Sequence, residues 1–60
     1  MKKSLLLNRI YVLDLGSTPI MLKTLHFTEK GVMCEYLQSY AGRTEEISFE
    51  LFEMNGYEKN

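Results

Sequence analysis

Cys34 and His26 are the two side chains whose chemistry could support nucleophilic catalysis, one as a thiol and the other as a base. Each residue type occurs once, and no third group stands at a spacing that would orient the pair. Cys34 has the same parity as Val32 and Tyr36 in an apolar run, which favours a buried thiol. A single His without partners cannot hold a metal, so we interpret His26 as a surface or rim residue. These residues predict no catalytic or metal site.

The carboxylates Glu45, Glu46 and Glu50 form the densest acidic group of the chain. Paired carboxylates perform acid–base chemistry only when their surroundings separate their pKa values. Glu46 and Glu50 occupy the polar positions of an alternating segment, which indicates a solvated face. Glu46 is therefore predicted to be a contact for a partner, and an acidic inhibitor from a mobile element would use such a face against a basic protein.

Aromatic residues are the most informative group for binding. Period-two spacing predicts that Phe27, Tyr36 and Phe49 belong to the core. Tyr40 instead lies in a polar loop close to Arg43, and loops on a rigid scaffold often carry recognition residues. Small β domains use such aromatics to bind proline-rich peptides, methylated cations or nucleobases. Tyr40, Arg43 and Glu46 are the predicted partner-binding residues.

Alternation of apolar and polar residues predicts the elements that must position these side chains. The predicted strands cover residues 5–15, residues 20–27, residues 32–37 and residues 44–51, followed by a helical turn over residues 49–54 and a last short strand near Tyr57. Gly31 is expected to take a positive φ in a tight hairpin, and Gly42 to bend the next loop. A loop over residues 16–19 separates the first two strands.

Several short strands joined by tight turns predict an all-β fold, either a small SH3-like barrel or a curled antiparallel meander of four to five strands. Sixty residues suffice for one domain. We therefore expect a single β domain over residues 1–60, with residues 1–4 and 58–60 frayed.

The charge balance and the cysteine count bound the partners and the compartment. Seven basic and eight acidic residues give a formal charge of −1, so the basic surplus of a dedicated nucleic-acid binder is absent. Lys2, Lys3, Arg9 and Arg43 leave a nucleic-acid accessory protein as an alternative. One cysteine permits no internal disulfide, which favours the cytoplasm. No apolar run reaches the length of a membrane span, so we expect no membrane association.

The order of these motifs resembles the YodC-like family of small uncharacterised bacterial proteins. The similarity covers residues 12–52, and the matching positions are Pro19, Met21, Val32, Cys34, Tyr36 and Phe49. Tyr36 stands where the family usually has Trp. Asn8 and Arg9 replace a Gly-Asp pair, no Pro follows Phe49, and the loop before Gly42 is longer. The resemblance implies an SH3-like barrel and no settled activity.

A phosphate-binding loop, a metal cluster and a cofactor fingerprint are all missing from the sequence. Sixty residues also leave little room for a pocket that buries a substrate. We expect a small interaction module that is not an enzyme and needs no cofactor. Its expected partner is a protein: a peptide, a partner subunit or a second copy of the chain.

Overall fold

Short runs of β-branched, aromatic and other apolar residues form the strands, and glycine or polar residues separate them. The computed structural model describes residues 5–16 and 18–59. In chain order the elements are β1 (Ile10–Leu13), β2 (Ile20–Phe27), β3 (Gly31–Tyr36), β4 (Thr44–Ser48), α1 (Phe49–Asn55) and β5 (Gly56–Glu58). The strands pair antiparallel in one open sheet in the order β4-β3-β2-β1-β5. This confirms the predicted small all-β fold, in the form of a curled meander with one short helix.

The core lies between one face of the sheet and α1. Its buried members are Tyr11, Leu13, Leu22, Val32, Cys34, Ile47 and Phe52. Phe52 extends from α1 onto the sheet, where its ring meets the ring of Tyr11 edge to face with centroids 5.5 Å apart. Burying one side chain of this size stabilises the fold by about 1.5–3 kcal/mol. The short helix therefore supplies the cover that a lone sheet of this size would lack.

The end of β4 differs from the sequence prediction. The alternation predicts a strand to Leu51, but β4 stops at Ser48, whose Oγ accepts a hydrogen bond from the Leu51 N–H at 3.1 Å and caps α1. The predicted helical turn over residues 49–54 is confirmed by α1. As a consequence Phe49 leaves the core face and stays 40% exposed, so its assignment to the core is wrong.

A β-bulge in β2 also changes which side chains share a face. Thr24 lies opposite Cys34, but the next registered pair is His26 with Met33, so one residue is inserted at Leu25. Because facing residues point to the same side of a sheet, His26 lies on the opposite face from Thr24. The alternation without a bulge predicts a common face for these two residues. Phe27 was predicted to be core and is 49% exposed, so that assignment is wrong. Phe27 lies opposite the buried Val32 but is the last residue of β2, so its exposure follows from its place at the strand end and not from the bulge.

Gly31 is required for close approach and not for a positive φ. It opens β3 without a positive φ, so that prediction is wrong. The positive φ values among the described glycines occur at Gly16 and at Gly42, the latter being the residue predicted to bend its loop. A Cβ on Gly31 would overlap the backbone carbonyl of Ile47 in β4. The hairpin turn is instead closed by Thr28, which donates its N–H to the Gly31 carbonyl at 2.8 Å and accepts the Gly31 N–H on Oγ1 at 3.0 Å.

The first strand is shorter than residues 5–15: it covers only Ile10–Leu13, and the chain before it turns at Asn8, which has a φ of +59°. Thr24, fully buried, donates its hydroxyl to the Leu6 carbonyl at 2.7 Å and accepts the Arg9 N–H at 3.2 Å. The Tyr11 hydroxyl accepts the Leu6 N–H at 3.0 Å. Two buried side chains thus hold the segment before β1 against the core.

Glu58 and Lys59, which the sequence predicts to be frayed, are paired with β1. Glu58 lies opposite Tyr11 and forms an ion pair with Arg9, with 2.5 Å between Nη1 and Oε2. The Lys59 N–H donates to the Ile10 carbonyl at 2.9 Å. The predictions for residues 1–4, Ser17 and residue 60 fall outside the described residues. Within the described ranges no helix is long and apolar enough to cross a membrane.

Candidate functional site

Backbone hydrogen bonds close the loop between β3 and β4, and this loop carries one solvent-exposed aromatic ring. The Tyr36 N–H donates to the Arg43 carbonyl at 2.8 Å, and the Gly42 N–H donates to the Tyr36 carbonyl at 3.0 Å. Inside this closure Tyr40 takes a φ of +60° and Gly42 a φ of +90°. Tyr40 is 69% exposed, so the ring is presented by a loop whose backbone is well bonded.

Tyr40 and Arg43, both predicted as binding residues, lie together. The Arg43 guanidinium carbon is 5.7 Å from the centre of the Tyr40 ring, within the range of a cation–π contact. The Tyr40 ring also meets the Tyr36 ring nearly at right angles, with centroids 6.3 Å apart. Tyr36 thereby connects the exposed loop to the end of β3.

The rings form one wall of a cleft of about 230 Å³. The lining residues are 18–21 at the start of β2, Tyr36, and residues 38–40 of the loop. The two walls are tied together because the Leu37 N–H donates to the Met21 carbonyl at 3.1 Å. Small-molecule pockets usually enclose about 300–1,000 Å³, so this smaller open groove suits a side chain or two of an extended chain.

The Tyr36 hydroxyl is oriented by Glu45 of β4. It donates a hydrogen bond to Glu45 Oε1 at 2.7 Å. This bond, together with desolvation and the negative charge of Glu45, raises the pKa of Tyr36 above its ordinary value, while the charge of Arg43 acts in the opposite direction. The phenol is therefore neutral at physiological pH, and its proton is held in the hydrogen bond to Glu45.

Glu46, the third predicted binding residue, is not part of the cleft. It lies opposite Met33, on the other face of the sheet from Cys34 and Glu45. Its Oε2 accepts the hydroxyl of Thr28 at 2.5 Å. The structure thus brings together two of the three predicted residues and separates the third.

Tyr36, Pro19 and Met21 are cleft residues that sequence reasoning did not assign to a site. Tyr36 was predicted to be core; it is only partly buried because the sheet ends beside it. The hairpin register places Tyr36 opposite Leu22, next to Met21. The bulge at Leu25 sets that register and has no signal in the sequence, so sequence reasoning could not place Tyr36 beside Met21.

Cys34 and His26 do not form a catalytic pair. Cys34 is fully buried, which raises the pKa of its thiol from 9.0 to about 11, and this confirms its interpretation as a core residue. His26 is exposed on the opposite face of the sheet. Among the described residues no group of three or more His, Cys, Asp or Glu side chains could hold a metal ion.

No family model matches this sequence, and neither a curated protein nor a solved structure matches the chain. The resemblance to the YodC-like family therefore stays a prediction.

Proposed function

We propose that this protein is a non-enzymatic binding module whose cleft beside Tyr40 receives a short extended segment of a protein partner. The observation that carries the proposal is the placement of Tyr40. An aromatic ring stands in solvent at the mouth of a largely apolar cleft, between the Tyr36 ring and the Arg43 guanidinium.

The backbone of Tyr40 supports this function. A positive φ is unfavourable for a bulky L-residue and costs about 1–3 kcal/mol. Asn or Gly would adopt the same turn with little strain. A ring held there at an energetic cost, and not buried, contributes little to folding, so its placement is better explained by contact with a ligand.

The shape and chemistry of the cleft favour a polyproline-type segment. Such segments lay proline rings against exposed aromatic rings and need no rearrangement of their own backbone. The cleft offers the Tyr40 and Tyr36 rings on one side and Pro19 with Met21 on the other. Gln38 and Ser39 supply polar groups at the rim for the carbonyls of the segment.

The proposal is tested by titrating the ¹⁵N-labelled protein with blocked proline-rich decapeptides and following amide shifts. Shifts are expected at Met21, Tyr36 and Tyr40. The Tyr40→Asn variant removes the ring while keeping a residue that tolerates positive φ, and we expect it to weaken binding about tenfold or more, as for an interface anchor.

Tyr57→Ala is the matched control, because Tyr57 is also exposed, at 54%, but lies in β5 away from the cleft. This variant should bind like the wild type. Shifts that avoid the cleft, or equal losses from both substitutions, would contradict the proposal.

The other candidate functions have less support. Of the four bases that suggested nucleic-acid binding, Arg9 is engaged by Glu58, and Lys2 and Lys3 lie outside the described residues, which leaves Arg43 as the support for that function. Glu46 is bonded to Thr28, which weakens the case for an acidic inhibitor face. Self-association stays a prediction, as does a cytoplasmic location, for which the free thiol of Cys34 is the supporting feature.

A further inference from the structure

We infer that the preferred ligand of the cleft is a proline-containing segment with an acidic side chain close in sequence to the residue that contacts Tyr40. The inference rests on the proposed function and specifies the charge of its partner.

Arg43 is a cation that does not line the cleft but lies against Tyr40, one of its lining residues. Its side chain is exposed, and in the part of the chain that the structure describes it takes part in no ion pair. The guanidinium is held over the Tyr40 ring, which reduces the side-chain entropy that a ligand would otherwise have to remove. An Arg fork that is pre-oriented and unpaired is suited to a carboxylate.

Glu45 is the other charged group near the rings, and it is already engaged. Its carboxylate accepts the Tyr36 hydroxyl at 2.7 Å. Arg43 instead contacts the exposed Tyr40 ring and is not engaged by a carboxylate among the described residues. A ligand carboxylate is therefore favoured where the ligand contacts Tyr40.

The contact between ring and guanidinium limits where a ligand charge is favoured. The Arg43 guanidinium carbon lies 5.7 Å from the centre of the Tyr40 ring. A polyproline segment advances about 3.1 Å per residue, so only a carboxylate within about one to three residues of the ring contact can reach the guanidinium. The spacing distinguishes this recognition from a general attraction of acidic peptides, which would not depend on position.

The test uses blocked proline-rich decapeptides that carry one Asp, Asn or Lys at each position in turn. Affinity is measured by NMR titration for the wild type, Arg43→Gln and Arg43→Glu. Lys30→Gln is the matched control, since Lys30 is exposed at the turn that joins β2 to β3, at the far end of that hairpin from the cleft.

The wild type and Lys30→Gln should prefer Asp over Asn by about two- to fivefold, the range of an exposed ion pair. The preference should peak at one position and decline with added salt. It should disappear in Arg43→Gln, and Arg43→Glu should prefer Lys.

Binding that depends on Tyr40 but shows no charge preference in the wild type would overturn this inference and leave the proposed function standing. A preference that persists in Arg43→Gln would overturn it as well. If none of the peptides binds, the proposed function and the inference fail together.

Discussion

Replacing Tyr40 by Gly and by Ala separates the backbone strain at this position from the contacts of its ring. Both substitutions remove the contacts with Tyr36 and Arg43, so the difference between the two variants reports the φ of +60°. At an ordinary position Gly is less stable than Ala by about 0.5–1 kcal/mol, because it loses more conformational entropy on folding. At Tyr40 we expect the reverse order.

The magnitude follows from two opposing terms. The left-handed conformation costs a residue with a Cβ about 1–2 kcal/mol. Gly avoids this cost, but its greater loss of conformational entropy on folding offsets about 0.5–1 kcal/mol of the gain. Tyr40→Gly should therefore be more stable than Tyr40→Ala by about 0.5–1 kcal/mol, which corresponds to roughly 2–8 °C in the melting temperature of a domain this small.

The measurement is thermal and urea unfolding followed by circular dichroism. Tyr57→Gly and Tyr57→Ala form the control pair, because Tyr57 lies in strand β5, outside the positive-φ positions. There Ala should be the more stable variant by about 0.5–1 kcal/mol. The order of stability is thus expected to invert between the two sites.

An equal or greater stability of Tyr40→Ala would refute the reasoning. It would mean that the loop relaxes out of the left-handed conformation once the ring is gone. The ring itself would then be the cause of the turn, and the strain would no longer argue for a binding role.

Three further predictions concern the scaffold. Thr24→Val should lower the free energy of unfolding by about 1–3 kcal/mol and accelerate hydrogen exchange at residues 6–9, because the Leu6 carbonyl and the Arg9 N–H lose their partner; Thr24→Ser should retain the protection. Gly31→Ala should destabilise by about 3 kcal/mol in urea unfolding, since its Cβ meets the Ile47 backbone, and a neutral result would show that β4 moves away freely. Because burial raises the pKa of Cys34, its neutral thiol contributes to the free energy of unfolding below pH 9, and this contribution is lost as the pH rises to about 11. The wild type should therefore lose up to about 3 kcal/mol more free energy of unfolding than Cys34→Ala over that range, and parallel pH profiles would contradict the burial of the thiol.

Patterns within single segments anticipated much of the fold. The bounds of β2, the bend at Gly42, the short helix and the burial of Cys34 all follow from local alternation, turn residues and composition. Tyr40 was recognisable as exposed because a bulky residue stands among polar loop residues. These features depend on near neighbours in the chain, which is why one sequence suffices to predict them.

The errors occurred where two local signals competed. At Ser48 the alternation continues through Phe49 and Leu51, yet the same residues also permit a capped helix. The helix prevails because it brings Phe52 onto Tyr11 in the core. In β2 the inserted residue at Leu25 has no mark of its own in the sequence, and it reverses the parity of every later side chain.

The order of residues thus specified directly that these segments form strands and that the fold is all-β. It also specified that an exposed aromatic residue lies near an Arg. The cleft was not specified in this way, because its walls come from the start of β2 and the loop after β3, and their distance depends on the register of the hairpin. The register between β3 and β4 places Glu45 beside the Tyr36 hydroxyl, and it places Glu46, the next residue, on the other face. Which carboxylate could serve a binding site depended on the pleat and pairing of β4, and these are set by contacts between segments distant in sequence.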